Sequence, residues 1–502
     1  MSTLGTLYRC SLGLLTDLYE LTMAYGYWKI GNHDREAVFQ LVFRKNPFGG
    51  GFTVAAGLAT VIEFLERMRF DADDLIYLAG LRGNDDRPLF EPAFLEYLGQ
   101  FHLACDVHAV PEGTVVFPHE PLVRVQGPLI QAQLLETALL NIINFQSLVA
   151  TKAARVVLAA RGEPVLEFGL RRAQGIDGGL AASRAAYLGG CDATSNVLAG
   201  RLYGIPVKGT HAHSWVMSFD NEVEAFRAYA RTMPNNCVFL VDTYNSLEGV
   251  RHAIEVGREL RRQGHEMIGI RLDSGDFAWL SVEARRMLDD AGFPNASILA
   301  SNELDEQIIA SLKEQGAAIN AWGVGTRLVT AYDQPALGGV YKLSVLRDRQ
   351  GRWQHKVKLS EQAIKVSTPG ILQVRRFQQS RQAIGDVIFD ELTPIRGDTT
   401  MVDPLDPTRR KVMPAATAIV GQASQPDAAD DLLVPIFSRG KCVYRVPSLE
   451  DSRRRLGEQL AMFHAGVKRF VNPHRYPVGL ELGLHELKTE LILKTRGLEG
   501  RP

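Results

Sequence analysis

The stretch Pro206 to Phe219, PVKGTHAHSWVMSF, sets His211 and His213 one residue apart, where a strand-like run gives way to an apolar segment beginning at Trp215. Imidazoles in such a place serve as a metal pair, as a covalent nucleophile, or as ordinary core and surface histidines. An H-x-H pair at a strand end can bind a divalent metal, because alternate strand residues point the same way. A hydrolytic metal site needs further ligands on later strands, yet the only histidines between His213 and Gly325 are His252 and His265, both in helical or loop context. The spacing therefore argues against a metal hydrolase. Further along, RLDSGD places Arg271, Asp273, Ser274, Gly275 and Asp276 within six residues. Carboxylates suit a ribose diol and an arginine fork suits a bound carboxylate; the plainer reading is a solvated strand-to-helix loop with Asp276 as a cap. GVGTRLVT offers Gly323, Gly325 and Thr326 at a strand-helix junction whose backbone N–H groups can hold a phosphate. FRKNPFGGGFTVAAGL puts Arg44 and Lys45 beside Gly49 to Gly51, which fits a phosphate or a plain flexible loop.

These residues need elements to bring them together. Between about 163 and 326 a short β-type apolar run, a polar or glycine-bearing tip and a helical stretch recur about 24 to 40 residues apart. The runs are EPVLEFG, GIPVKGT, CVFLVDT, MIGIRLD, SILASNEL and AWGVGT. That is the spacing of β/α units building a parallel sheet with helical crossovers. In a β/α barrel the tips converge at the C-terminal ends of the strands, so EFGLRR, KGTHAHS, VDTYNS, RLDSGD, SNELDE and GVGT would meet in one site. Polar tips also arise simply because strand ends reach water.

The fold class expected is α/β: an irregular β/α barrel over 131–335, a mixed α+β N-terminal domain over 1–130, and a small β-rich subdomain over 336–420. A linker-like stretch, 421–431, then leads to a helical tail over 432–502. The β-rich part is read from the alternation in GGVYKLSVLRDRQGRWQHKVKLS, with a turn at Gln350-Gly351. With 502 residues, 46% hydrophobic and 23% charged, the chain exceeds one core, and a net charge of -1 gives no hint of a nucleic-acid or acidic-membrane partner. Cys10, Cys105, Cys191, Cys237 and Cys442 stand singly and read as reduced thiols of a cytoplasmic protein. The N-terminus does not read as a signal peptide. The apolar region Leu134 to Ala160 is interrupted by Glu136, Lys152 and Arg155 and reads as a long buried or domain-linking helix.

In order along the chain, TDLYELTMAYGYW, FRKNPFGGGFTVAAGL, EFGLRRAQG, DATSNVLAG, GTHAHSWVMSF, VDTYNS, RLDSGD, GVGTRLVT and GGVYKLS resemble nicotinate phosphoribosyltransferase from Thr16 to about Gly370. The resemblance implies the type II phosphoribosyltransferase fold and a cytoplasmic homodimer with shared active sites. It also implies an ATP-dependent, ligase-type transfer of phosphoribose from phosphoribosyl pyrophosphate to nicotinate, with Mg²⁺ as cofactor, as a salvage step of NAD biosynthesis. His213, in Ala212-His213-Ser214, matches the histidine that ATP phosphorylates, and Asp242 the carboxylate that orients it; His211 falls at a variable position. Asp273, Ser274, Gly275 and Asp276 match the ribose and pyrophosphate holders, and Gly323, Gly325 and Thr326 the 5'-phosphate cradle. Phe168 and Tyr19 would sandwich the pyridine, Tyr19 reaching in from the partner, with Arg271 and Arg171 near its carboxylate. Ser195 stands where the nicotinamide-using relatives carry an aspartate, which would repel nicotinate. No metal ligand is assigned. The readings set against this one are a nicotinamide enzyme and a non-catalytic nucleotide-binding regulator on the same scaffold.

Overall fold

The computed structural model describes residues 10–414 and 428–498, together with Gly5, Leu7 and Tyr8. Two compact units emerge, one from 1–148 and 336–502 and the other from 149–335. The chain passes between them within the helix Glu136–Ala160, which runs unbroken through the interrupted apolar region. Two-thirds of the most apolar window in Leu129–Ala160 is buried in protein, as a core helix requires.

In the second unit, six short strands pair parallel in the order Ala193–Thr194, Val165–Glu167, Ala321–Val324, Ser297–Asn302, Gly269–Leu272, Val238–Leu240. Phe239, Ile270, Leu272, Ile298, Trp322 and Val324 are fully buried, the near-continuous apolar pattern of a parallel sheet covered on both faces. Five of the six expected runs form these strands. GIPVKGT does not: it contributes one bridge, Val207 to Thr194, and its place is taken by Ala193–Thr194. No ladder joins this edge to Val238–Leu240 among the described residues. A side chain spans the gap instead, as the Leu240 N–H donates to His211 Nε2 at 3.3 Å.

The polar tips do double duty. Asn196, Asn245, Asp276 and Asp305 each accept a backbone N–H with the side chain and start the following helix. The helix Ser246–Arg262 then buries Val250, Ala253, Ile254, Val256 and Leu260 on one face and leaves its arginines outside.

The first unit contains an antiparallel sheet ordered Trp353–His355, Val340–Arg347, Glu36–Val42, Pro121–Pro128, Asp106–Ala109, Val434–Ser438, Lys441–Cys442. A second sheet is ordered Arg410–Met413, Thr399–Val402, Val478–Glu481, Gln382–Asp390, Leu372–Gln379, Ala428–Asp431. The hairpin around Gln350-Gly351 forms, Gly351 taking φ +77, but its strand Val340–Arg347 pairs with Glu36–Val42. The central strand Glu36–Val42 is buried over most of its length and needs a partner on each side. Of the expected helical tail 432–502, the described residues 432–498 are mixed rather than helical, because Val434–Ser438 and Val478–Glu481 each complete one of the sheets. Of the expected linker, 421–427 lie outside the described residues and Ala428–Asp431 is a strand.

Candidate active site

Parallel pairing sends the residues after each strand of the second unit to the same edge of the sheet, and there the side chains interlock. Arg271, near the end of its strand, donates from Nε to Ser301 Oγ (2.7 Å), from Nη1 to Thr210 Oγ1 (3.0 Å) and from Nη2 to Asp273 Oδ1 (2.8 Å). A guanidinium carries five N–H donors in a planar fork, so three are committed within the protein and two remain. Asp273 also accepts from Ser301 Oγ, and its carbonyl accepts from Asn302 Nδ2 at 2.8 Å. Burial pushes the Asp273 carboxyl up, but the Ser301 hydroxyl and the Arg271 charge outweigh it and hold the group below the ordinary carboxylate range. The residue remains an anion at neutral pH.

His213 opens the short helix His213–Met217. Its Nδ1 lies 3.1 Å from Thr243 Oγ1, and its Nε2 is 3.7 Å from Asp273 Oδ2. Asp242, expected to orient this ring, does something else: its Oδ2 accepts from the Asp273 N–H (2.9 Å) and from Ser274 Oγ (2.6 Å). The carboxylate ties two strand ends together, and the histidine takes its orientation from Thr243. The other Asp242 oxygen, Oδ1, is buried with no partner.

His211 is a core residue. It packs edge-on against Tyr229 at 4.9 Å between centroids, and burial pushes its imidazole down to about 4. Since Nε2 accepts the Leu240 N–H, the ring is neutral and its proton sits on Nδ1.

Phe168 follows Val165–Glu167, its N–H held by the Val324 carbonyl at 2.8 Å. A Cβ on Gly323 would lie 2.8 Å from the Phe168 ring, so the missing side chain is what lets the ring lie there. Arg271 Cζ stands 5.9 Å from the same ring. Beneath them the buried Glu167 accepts from Gly169 N–H, Ser183 Oγ (2.8 Å) and Thr194 Oγ1 (2.5 Å), fixing the turns that carry Phe168 and Ser195.

The remaining expected residues are less engaged. Ser195 is half-buried, its N–H on the Glu167 carbonyl at 2.9 Å. Arg171 is exposed on a single helical turn. Gly275 takes φ +87 in the loop, and Asp276 caps Phe277–Asp290 through the Trp279 N–H, as the plainer reading anticipated. Gly325 and Thr326 start a four-residue helix whose first-turn N–H groups lack helical acceptors. Tyr19 belongs to the first unit, 48% exposed on the first turn of Leu18–Lys29. Sequence reasoning passed over Glu167, Thr210, Thr243, Ser301 and Asn302, although all five lie in or beside the quoted strand ends.

Three family models tile the chain: the nicotinate phosphoribosyltransferase N-terminal domain over residues 14–144, the family core over 165–354 and the C-terminal domain over 373–488. A nicotinate phosphoribosyltransferase of Bacillus subtilis is 42% identical over 494 residues, covering 96% of this chain and 97% of that one.

The chain belongs to the nicotinate phosphoribosyltransferase family.

The crystal structure of human nicotinic acid phosphoribosyltransferase is similar over 95% of this chain and 99% of that one, with a TM-score of 0.81 and 33% identity. A nicotinate-nucleotide pyrophosphorylase from Pyrococcus furiosus shares the fold, with a TM-score of 0.65, 22% identity and coverage of 90% and 95%.

Among the described residues no group of three or more His, Cys, Asp or Glu is placed to hold a metal ion. The donor set still fits Mg²⁺, which keeps several waters and is bound through one or two carboxylates plus substrate phosphates. Asp242 Oδ1, buried and without a partner, has the spare acceptor capacity such an ion uses.

Proposed function

We propose that the chain transfers phosphoribose from phosphoribosyl pyrophosphate to nicotinate, releasing pyrophosphate and forming nicotinate mononucleotide for NAD synthesis. The transfer is coupled to ATP hydrolysis through a phosphohistidine at His213. The observation that carries the reading is the network His213–Asp273–Arg271–Phe168 at one edge of the sheet, within a chain that family models match over 14–144, 165–354 and 373–488.

In this reading the six strands and the Val207 bridge form the wall of the irregular barrel. Phe168 is the floor for the pyridine, and the two uncommitted N–H groups of Arg271 receive the nicotinate carboxylate. Half-buried Ser195 leaves that pocket without a second anion. Asp273 and the Ser274 oxygen, whose own O–H is given to Asp242, accept from the ribose hydroxyls, while the first-turn N–H groups at Gly325 and Thr326 hold the 5'-phosphate. The pyridine nitrogen attacks C1, the bond from C1 to the pyrophosphate oxygen breaks, and the positive charge that builds on the ribose faces the ionised Asp273. Asp242 would hold Mg²⁺ together with the substrate phosphates, and the ion would supply positive charge to the leaving pyrophosphate. With Nδ1–H donating to Thr243, the Nε2 lone pair of His213 is the free nucleophile. It attacks the γ-phosphorus of ATP, the bond to the β-γ bridging oxygen breaks, and ADP leaves. In a homodimer Tyr19 of one protomer closes the pyridine pocket of its partner.

The test is a product assay with nicotinate and nicotinamide side by side, with and without ATP, on the wild-type protein and on His213→Ala. Nicotinate mononucleotide should form, faster with ATP, and His213→Ala should lose ATP hydrolysis and its benefit while keeping a slow transfer. Preference for nicotinamide, or ATP coupling that survives His213→Ala, overturns the assignment. For the shared site, Tyr19→Ala and His213→Ala protein are mixed and exchanged. Recovery toward roughly a quarter of wild-type sites is expected from random pairing, and no recovery after proven exchange rejects the arrangement.

A further inference from the structure

The helix Leu18–Lys29 of the first unit carries Tyr19 on its exposed side and Glu20, fully buried, on its inner side. We propose, on the reading that Tyr19 closes the pyridine pocket of the partner, that Glu20 and the half-buried Glu136 share one proton and together position Tyr19, so that Glu20 sets how nicotinate affinity answers to pH.

One amide ties the two acids together. Gln133 Nε2, at the end of the helix Leu129–Leu134, donates to Glu20 Oε2 at 2.8 Å and to Glu136 Oε2 at 3.2 Å, so the carboxyl groups face each other across a single nitrogen. The other Glu20 oxygen, Oε1, is buried with no hydrogen-bond partner. Two anions this close and served by one amide are costly in a protein interior. With one proton between them the pair carries a single charge, and the orphaned Oε1 is the oxygen on which that proton costs least. The Tyr19 hydroxyl lies beside both groups: burial and then the charges of Glu136 and Glu20 push its ionisation up, while its hydroxyl holds both acids down.

The surroundings put the proton's loss in the physiological range. Burial is the main cause pushing Glu20 up, to about 7, with Glu136 and Asp17 adding to it against the donors Gln133 and Tyr19. Burial raises Glu136 as well, against the charge of Lys342, whose ammonium donates to the Tyr341 carbonyl at 2.7 Å. Asp17, just ahead of the helix, is held by Thr137 Oγ1 at 3.0 Å and adds its negative charge from that side. Tyr27 on the same helix and Tyr341 on the strand Val340–Arg347 are raised chiefly by burial and stay neutral phenols. Below about pH 7 the pair therefore keeps its proton, and the Tyr19 hydroxyl and Gln133 serve one charge. Above it both acids are ionised and repel, one amide and one hydroxyl cannot satisfy them, and the ring leaves the attitude in which a pyridine stacks on it.

The experiment measures nicotinate KM and kcat of the full-length protein from about pH 6 to 9, with phosphoribosyl pyrophosphate and ATP saturating, and follows the protonated-carboxyl absorption by infrared titration over the same range. The wild-type KM should rise about tenfold over roughly pH 7 to 8, the change that a one-unit coupling between the proton and nicotinate produces. Glu20→Gln, a neutral mimic of the protonated acid, should hold the low KM throughout, while its kcat follows the wild-type pH profile. Tyr19→Phe, which keeps the ring and loses the hydroxyl, should hold a high KM throughout. Glu136→Gln removes the neighbouring charge and should move the step to lower pH. The infrared difference between wild type and Glu20→Gln should contain one carboxyl band that vanishes with a midpoint near 7. Absence of that band overturns the proposal, as does a flat wild-type KM or a step that survives in Glu20→Gln or Tyr19→Phe. A protein that makes no nicotinate mononucleotide refutes the transfer reading and the positioning role with it, yet the band still decides the shared proton.

Discussion

Replacing His211 by alanine tests whether the histidine beside the proposed nucleophile His213 is structural. The side chain is 8% exposed, packs on Tyr229 and Phe226, and is the acceptor for the Leu240 N–H. Its removal leaves that buried donor unpaired, at about 1–3 kcal/mol, and forfeits about 0.5–1.5 kcal/mol of ring contact. A local loss of about 1.5–4.5 kcal/mol corresponds to roughly 10- to 1,600-fold faster opening around Leu240. A two-unit protein does not unfold in one step, so the measurement is hydrogen exchange of peptides covering Val238–Leu240. The His211→Gln protein, which keeps an acceptor, serves as control and should recover much of the protection. Phosphorylation of His213 should persist in whatever fraction of His211→Ala remains folded. Exchange altered by less than about threefold would refute the structural account. Loss of His213 phosphorylation with unchanged exchange would give His211 a chemical role instead.

Gly323→Ala brings a Cβ to 2.8 Å from the Phe168 ring, so the ring must swing; nicotinate KM should rise about tenfold or more while His213 phosphorylation is untouched, and an unchanged KM removes Phe168 from the base pocket. Arg271→Lys breaks a three-partner bracket that a point charge cannot rebuild, so nicotinate KM and thermal stability should both suffer; Ser195→Asp should weaken nicotinate without the stability loss. His211 and His119 are both held neutral, near 4 against an ordinary 6.5. Their stability contribution is therefore complete above pH about 6.5 and is lost as pH falls toward 4, because the unfolded chain takes up protons that the folded rings refuse. Melting temperatures from pH 7.5 to 5 should show a shallower acid decline in His211→Gln than in the wild type, and parallel curves count against it.

Much of the sheet that carries the candidate site is legible in the sequence. Five of the six apolar runs form parallel strands, because length, β-branched content and bounding glycines agree locally. GIPVKGT misled for a matching reason: its pattern is that of a strand, but whether it pairs depends on an edge formed elsewhere. The roles of Asp242 and Thr243 were beyond reach in the same way. Adjacent in sequence, they divide two jobs, one on Asp273 and Ser274 and the other on His213, according to how strands about thirty residues apart align. Glu167 did leave a signal, a carboxylate within a short apolar strand that can be buried only if paired. Its partners Ser183 and Thr194 lie too far along the chain for periodicity to find.

The two ends of the chain build one unit around sheets that neither can finish. The strand Asp106–Ala109 is paired on its outer side only by Val434–Ser438. A ribosome adding about 5–20 residues per second needs roughly 15 to 65 seconds to cover the intervening stretch. Throughout that interval the nascent protein carries an open β edge, the surface on which neighbouring chains pair and aggregate. The parallel-sheet unit, contiguous in sequence, is under no such delay and can close while synthesis continues. Expression yield should therefore depend on how quickly, and under which chaperones, the last seventy or so residues emerge, even though the parallel-sheet residues of the candidate site were completed long before.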